Sequence, residues 1–169
     1  MHFTKSIILR KVPLGEADAL VTAYTEAHGK LRFRAVGAYR EPAKLKGHIE
    51  PMNYCMIGFI AGRYRNTLTN ASVIEYWPRI RTDVDRLQAA WHVTDAIDTA
   101  VFEGEHDSAL WALLFETIFL LEGRAENHGE CVSILQRFLD EFSVRLGLGN
   151  RISGHYLGTE RRRPTGDML

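Results

Sequence analysis

The apolar positions keep two different rhythms on either side of Trp77-Pro78. Before that point they come in short runs or strict alternation; after it they return every three or four residues. Residues 6–12 form a short apolar run rich in β-favouring side chains, and residues 20–25 form another, ended by the turn-like His28-Gly29. Lys30-Leu31-Arg32-Phe33-Arg34-Ala35-Val36 then alternates strictly, which predicts a strand with Lys30, Arg32 and Arg34 on one face and Leu31, Phe33 and Ala35 on the other. Residues 54–60 and 67–76 predict two more strands, separated by the polar turn Ala61-Gly62-Arg63-Tyr64-Arg65-Asn66. Five strands in about 75 residues suit a small closed barrel, and the pattern fits an OB-type or an SH3-like barrel equally.

Beyond Pro78, the residues Val84, Leu87, Trp91, Ile97 and Val101 read as one apolar helical stripe, opened by Thr82 as N-cap with Asp83 and Asp85 in the first turn and ending near Gly104. A second helix starts at Asp107 or Ser108 and closes at Gly123; it is apolar nearly all round and is expected at the buried centre of the helical part. A third runs from about Glu130, lines up Val132, Leu135, Phe138, Leu139, Phe142 and Leu146, and stops at Gly147. The remainder has no sustained periodicity and reads as a mobile tail. The expectation is an α+β chain: a barrel over 1–79, helices over 80–148 and a flexible tail over 149–169.

With 46% hydrophobic and 25% charged residues, the 169-residue chain has an ordinary globular composition with enough apolar mass for a core. Two cysteines, Cys55 and Cys131, make neither a disulfide framework nor a Cys-x-x-Cys zinc pattern, which suits a reducing compartment. The apolar run near the amino terminus is too short for a signal peptide or membrane anchor, and the stretch 109–121 is interrupted by Glu116, so a cytoplasmic protein is expected. Lysines and arginines balance aspartates and glutamates at 21 each, yet residues 1–80 hold twelve basic and six acidic residues while the rest holds nine and fifteen. That asymmetry suggests a polyanion-binding part joined to something else.

Alternate residues of a strand lie about 6.8 Å apart, comparable with the phosphates of an extended single strand. Tyr39, Tyr54, Phe59 and Tyr64 lie near basic residues in sequence. A charged groove with stacking rings is how OB barrels hold single strands; the plainer reading is a solvated strand face with core aromatics. Enzyme signatures are weak: no His-Glu-x-x-His, P-loop, Gly-x-Ser-x-Gly or dinucleotide fingerprint occurs. Glu103, Glu105, His106 and Asp107 gather enough ligands for a metal-dependent hydrolase, though such a cluster at a helix end is more often a solvated loop.

Several short motifs resemble the RecO family of bacterial recombination mediators when taken in order. Ile7-Ile8-Leu9-Arg10 followed by Gly15-Glu16-Ala17-Asp18 looks like its opening strand and Gly-Glu-x-Asp turn. Thr25 with His28-Gly29-Lys30 resembles its hairpin, and Gly37-Ala38-Tyr39-Arg40, Leu45-Lys46-Gly47 and Pro51 resemble its basic linker and next strand. The helix start after Pro78 extends the likeness to about Leu148. The resemblance implies an OB-fold that binds single- and double-stranded DNA, anneals complementary strands without catalysing bond chemistry, and works with RecR and single-strand binding protein to load recombinase in DNA repair. The implied DNA-contacting residues are Lys30, Arg32, Arg34, Arg40, Lys44 and Lys46. The sequence departs from the family at Tyr39, often Arg or Lys, at Ala43, commonly Ser, and after the third helix, where Gly149-Asn150-Arg151-Ile152-Ser153 stands in place of a four-cysteine zinc motif, so no zinc and no other cofactor is expected. From another class, the alternative is an interaction scaffold whose helices dock a partner and whose barrel is a rigid mount.

Overall fold

The computed structural model describes residues 1–40 and 45–148; Lys44, Ala43 and the expected tail with its cysteine-free segment lie outside the described residues. Five strands, β1 (His2–Leu14), β2 (Asp18–Thr25), β3 (Gly29–Ala35), β4 (Tyr54–Ile60) and β5 (Asn66–Glu75), precede four helices, α1 (Pro78–Thr82), α2 (Val84–Ala100), α3 (Ser108–Gly123) and α4 (His128–Arg145). The strands close an OB-fold barrel in the order β1-β2-β3-β5-β4, with β3 and β5 parallel and the other pairs antiparallel. The chain is therefore α+β, a five-stranded barrel followed by helices.

β1 is longer than its apolar run because it serves two neighbours. Its first half pairs with β4, from His2↔Phe59 to Ile7↔Tyr54, and its second half with β2, from Ser6↔Thr25 to Leu14↔Asp18. The run does not alternate because β1 has a core on each side. Ile8 joins Val21, Phe33, Ile57, Phe59 and Leu68 inside the barrel, whereas Ile7 and Leu9 join Tyr24, Met52 and Trp77 in a second core shared with the helices. Trp77, at the junction, has φ 58° and Met52 has φ 71°, left-handed conformations that cost a branched-free side chain about 1 kcal/mol each. The two residues meet: the Trp77 indole donates to the Met52 carbonyl at 3.0 Å, and both side chains are buried.

The helices correct three expectations. Thr82 closes α1, its hydroxyl donating to the Pro78 carbonyl, and it is Asp83 that caps α2 by accepting from the Arg86 amide at 3.0 Å. Val84, Leu87 and Trp91 lie on the exposed side of α2, while Ala89, Ala90, Val93, Ala96 and Ile97 face the core with Arg86. The buried Arg86 guanidinium explains the rotation: it donates to the Glu122 carbonyl at 2.8 Å and to the Ala125 carbonyl, tying α2 to the turn after α3. α3 begins at the Asp107 cap but is not buried all round. Phe119 is 57% exposed, and Phe115, stacked against Phe119 and Trp111, packs edge-on against Tyr54. α4 starts slightly early, at His128, with Asn127 accepting from the Glu130 amide. No helix among the described residues is long and apolar enough to cross a membrane.

Candidate nucleic-acid interface

The parallel pairing of β3 with β5 positions the basic surface. Because Phe33 is in register with Asn66, the β4–β5 connection, residues 61–65, comes up beside Arg32. Leu20, Arg32, Arg63, Tyr64, Arg65 and Glu103 line most of a groove of about 340 Å³. Three guanidiniums against one carboxylate leave it net positive. Tyr64 is 90% exposed, with the Arg63 guanidinium 5.4 Å from its ring centre. Gly62 is needed in this turn, since a Cβ there would lie 2.2 Å from the Arg65 carbonyl oxygen. The sequence marks residues 61–66 as a polar turn and Tyr64 as a ring near basic residues, but it does not single out Arg63 and Arg65 as binding residues.

On β3 itself the alternating face divides. Arg32 is half-exposed; its amide donates to the Glu103 carboxylate at 3.1 Å and its Nε lies 3.9 Å from the same group. Arg34, also half-exposed, holds Asp18 through Nε at 2.7 Å and Nη2 at 2.6 Å, while the other Asp18 oxygen accepts from the Gly37 amide at 2.8 Å. Those bonds, the Gly37 amide first and Arg34 second, hold the Asp18 carboxyl below its usual pKa.

Residues 1–77 match the family model described as Recombination protein O N terminal. The DNA repair protein RecO of Roseiflexus sp. (strain RS-1) is 33% identical over 137 residues, 81% of this chain and 46% of that protein. The chain belongs to the RecO family. The DNA repair protein RecO of Desulforamulus reducens is 32% identical over 116 residues, 69% of this chain and 45% of its own length, and that of Halalkalibacterium halodurans 27% over 139 residues, 82% and 53%. The chain spans about half the length of these RecO relatives.

Among the residues that the RecO resemblance singled out, Lys30 is the correction. Its side chain is 3% exposed. The ammonium donates to the Asp98 carbonyl and, at 3.0 Å, to the Val101 carbonyl, and it lies 3.1 Å from the Asp98 carboxylate. It thus caps the C-terminal end of α2 rather than facing solvent. The cause is tertiary: the loop after α2 pairs with the start of β3, with the Lys30 amide donating to the Glu105 carbonyl and the Gly104 amide to the Lys30 carbonyl. Gly29, at φ 69°, permits this approach, since a Cβ would stand 1.8 Å from the Glu105 oxygen. Arg40 and Lys46 are exposed on the connection from β3 to β4. Lys44 lies outside the described residues.

The other aromatics that lie near basic residues in sequence are committed elsewhere. Tyr54 packs between Trp77 and Phe115, and Phe59 is inside the barrel. Tyr39, where the family often has a cation, lies under the Lys11 ammonium at 5.2 Å, and that ammonium also pairs with Glu50 at 2.7 Å. The residues that suggested a metal have separate structural partners. Glu103 takes Arg32, Glu105 accepts from the Phe102 amide, the His106 ring lies 2.9 Å from the Glu26 carbonyl, and Asp107 caps α3. No group of three or more His, Cys, Asp or Glu able to hold a metal occurs among the described residues. Burial pushes the Cys55 thiol up to about 12 and raises Cys131 as well.

Proposed function

We propose that the chain is a non-enzymatic DNA-binding protein of repair and recombination whose barrel holds single strands with little regard to sequence. The observation that carries this reading is the groove in which Arg32, Arg63 and Arg65 surround a fully presented Tyr64 on an OB barrel. The arginines neutralise phosphates and release counterions, and the tyrosine offers a face on which any base stacks. Arg34, Arg40 and Lys46 extend the positive surface toward the linker and suit further phosphates, including those of a duplex, and Lys44 is proposed as a further phosphate contact. Neutralised backbones approach one another at lower cost, which favours annealing of complementary strands without nucleotide hydrolysis. In this reading residues 1–79 carry the DNA, 80–148 carry protein contacts, and RecR and single-strand binding protein are the partners with which it loads recombinase.

Fluorescence polarisation of a labelled oligothymidine across a salt series, with annealing of complementary strands followed in parallel, tests the reading. The native chain binds at low salt and weakens steeply as salt rises. Arg32→Ala/Arg63→Ala/Arg65→Ala, folded by circular dichroism, loses affinity and about two units of the log–log salt slope, at about 0.7 per single-strand phosphate contact. Absence of binding at low salt refutes the reading. A second reading, the interaction scaffold, draws on α3, where the exposed Phe119 stacks on Phe115, which with Trp111 is partly buried against the core; it predicts a full-strength partner complex from a chain that binds no DNA.

A further inference from the structure

On the outer face of the barrel Arg10 and Arg32 flank the buried Thr22, between the basic groove and a second, separate hollow. Strand register aligns Arg10 with Thr22 and Thr22 with Arg32, so the two arginines sit two strands apart, about 10 Å at the usual inter-strand spacing. The same row passes on from Arg32 to the connection carrying Tyr64 and Arg65. At its other end it meets α2. There Leu9, Arg10, Trp91, Thr94, Asp95 and Asp98 surround a second hollow of about 260 Å³.

Trp91 is 54% exposed in this hollow, and the core does not use it as it uses the other tryptophans. Trp77 is buried with its indole bonded, and Trp111 sits in the aromatic cluster with Tyr54 and Phe115. The Arg10 side chain beside it is 65% exposed, with one guanidinium nitrogen 3.7 Å from Asp98. Since Lys30 already neutralises Asp98 at 3.1 Å, the trio of Arg10, Lys30 and Asp98 keeps one net positive charge. Asp95, one turn from Trp91 on α2, disfavours a phosphate at that end and so leaves it to a base.

We propose, building on the reading of the Tyr64 groove as a single-strand site, that one strand of DNA crosses the barrel transversely from Tyr64 over Arg32 and Arg10 to Trp91, which stacks a second base. Two rings at the ends and two arginines between them alternate base and backbone contacts along one path. The path needs three inter-strand steps of about 4.8 Å plus the reach of the end side chains, which matches the smallest OB site of about four nucleotides. α2 thereby becomes part of the DNA site.

The test uses the full chain with oligothymidine, read by tryptophan fluorescence and by polarisation. Stacking on the exposed indole quenches emission in the native protein, and most of that quench disappears in Trp91→Phe, which keeps an aromatic face and binds within about threefold of native. Trp91→Ala weakens binding about tenfold, within the range for one lost base stack, and Arg10→Ala lowers the salt slope by about 0.7. If Trp91→Ala and Arg10→Ala bind like the native chain and the quench survives in Trp91→Phe, while the triple groove variant loses binding, the strand stops at the groove; the transverse path is overturned and the groove reading stands. If the native chain fails to bind at low salt, both fall. The Trp91→Phe quench decides the matter even if Trp91→Ala does not fold.

Discussion

Lys30 is where a surface-binding role and a structural role make opposite predictions. Lys30→Ala removes an ammonium that satisfies two α2 carbonyls and the Asp98 carboxylate in a 3% exposed position. Breaking a buried pair by deleting one partner typically costs about 3–5 kcal/mol, because the other charge stays buried without compensation. Asp98 keeps 13% side-chain exposure and has the Arg10 guanidinium at 3.7 Å, which places the cost at the lower end, about 3 kcal/mol. For a chain of this size that is a fall in Tm of roughly 6–12 °C. The assay is urea and thermal unfolding followed by far-UV circular dichroism, beside the oligothymidine salt slope under conditions where the variant is still folded. The expected result is a large stability loss with an unchanged salt slope. A variant with native unfolding midpoints and a slope lowered by about 0.7 would show that Lys30 meets phosphate and that its burial has been misread.

Three further predictions rest on other contacts. Gly29→Ala and Gly15→Ala share a φ of 69°, but a Cβ at residue 15 meets nothing within 4 Å whereas one at residue 29 collides with Glu105. Gly15→Ala should therefore cost about 1 kcal/mol and Gly29→Ala about 2–5 kcal/mol in urea unfolding; equal losses would argue against the loop–β3 contact. The folded pKa of Asp18 is depressed by the Gly37 amide and Arg34, so its stabilising contribution is present above the unfolded value of about 3.9 and is lost as pH falls through the folded value. The gap in urea midpoint between native and Asp18→Asn should be widest at pH 7 and should close in acid, and a gap independent of pH contradicts the assignment. Cys55, held at about 12 by burial, and Cys131, also raised, should resist a thiol reagent at pH 8 until the chain is unfolded; rapid labelling of either in the folded protein would contradict their burial.

Local periodicity made much of the fold readable. The Lys30 to Val36 alternation corresponds to β3, residues 54–60 to β4, and the Asp107 start and Gly123 end to α3. What periodicity does not contain is what covers each face. Lys30, Arg32 and Arg34 share one side of β3, but the α2–α3 loop lies over the first of them and leaves the other two half-exposed. On α2 the expected apolar stripe holds at Ile97 and Val101 but fails at Val84, Leu87 and Trp91, because the buried side of the first turns is made of Ala89, Ala90 and Arg86, whose partners lie 36 and 39 residues onward. The groove was partly legible, since Arg63-Tyr64-Arg65 carries the mixture of cation and ring that a strand-binding loop requires. Its placement beside Arg32 depends on the parallel β3/β5 closure, a non-local pairing that no short window of sequence records.

The central claim is that DNA lies in the groove at Tyr64, and photo-crosslinking tests it most directly. An oligothymidine bearing 5-iododeoxyuridine, irradiated with the full chain at low salt and mapped by peptide mass spectrometry, should attach to Tyr64 and the residues flanking it, with the yield falling as salt is raised. Crosslinks confined to the aromatic face of α3, at Trp111 or Phe119, with none at Tyr64, would contradict it.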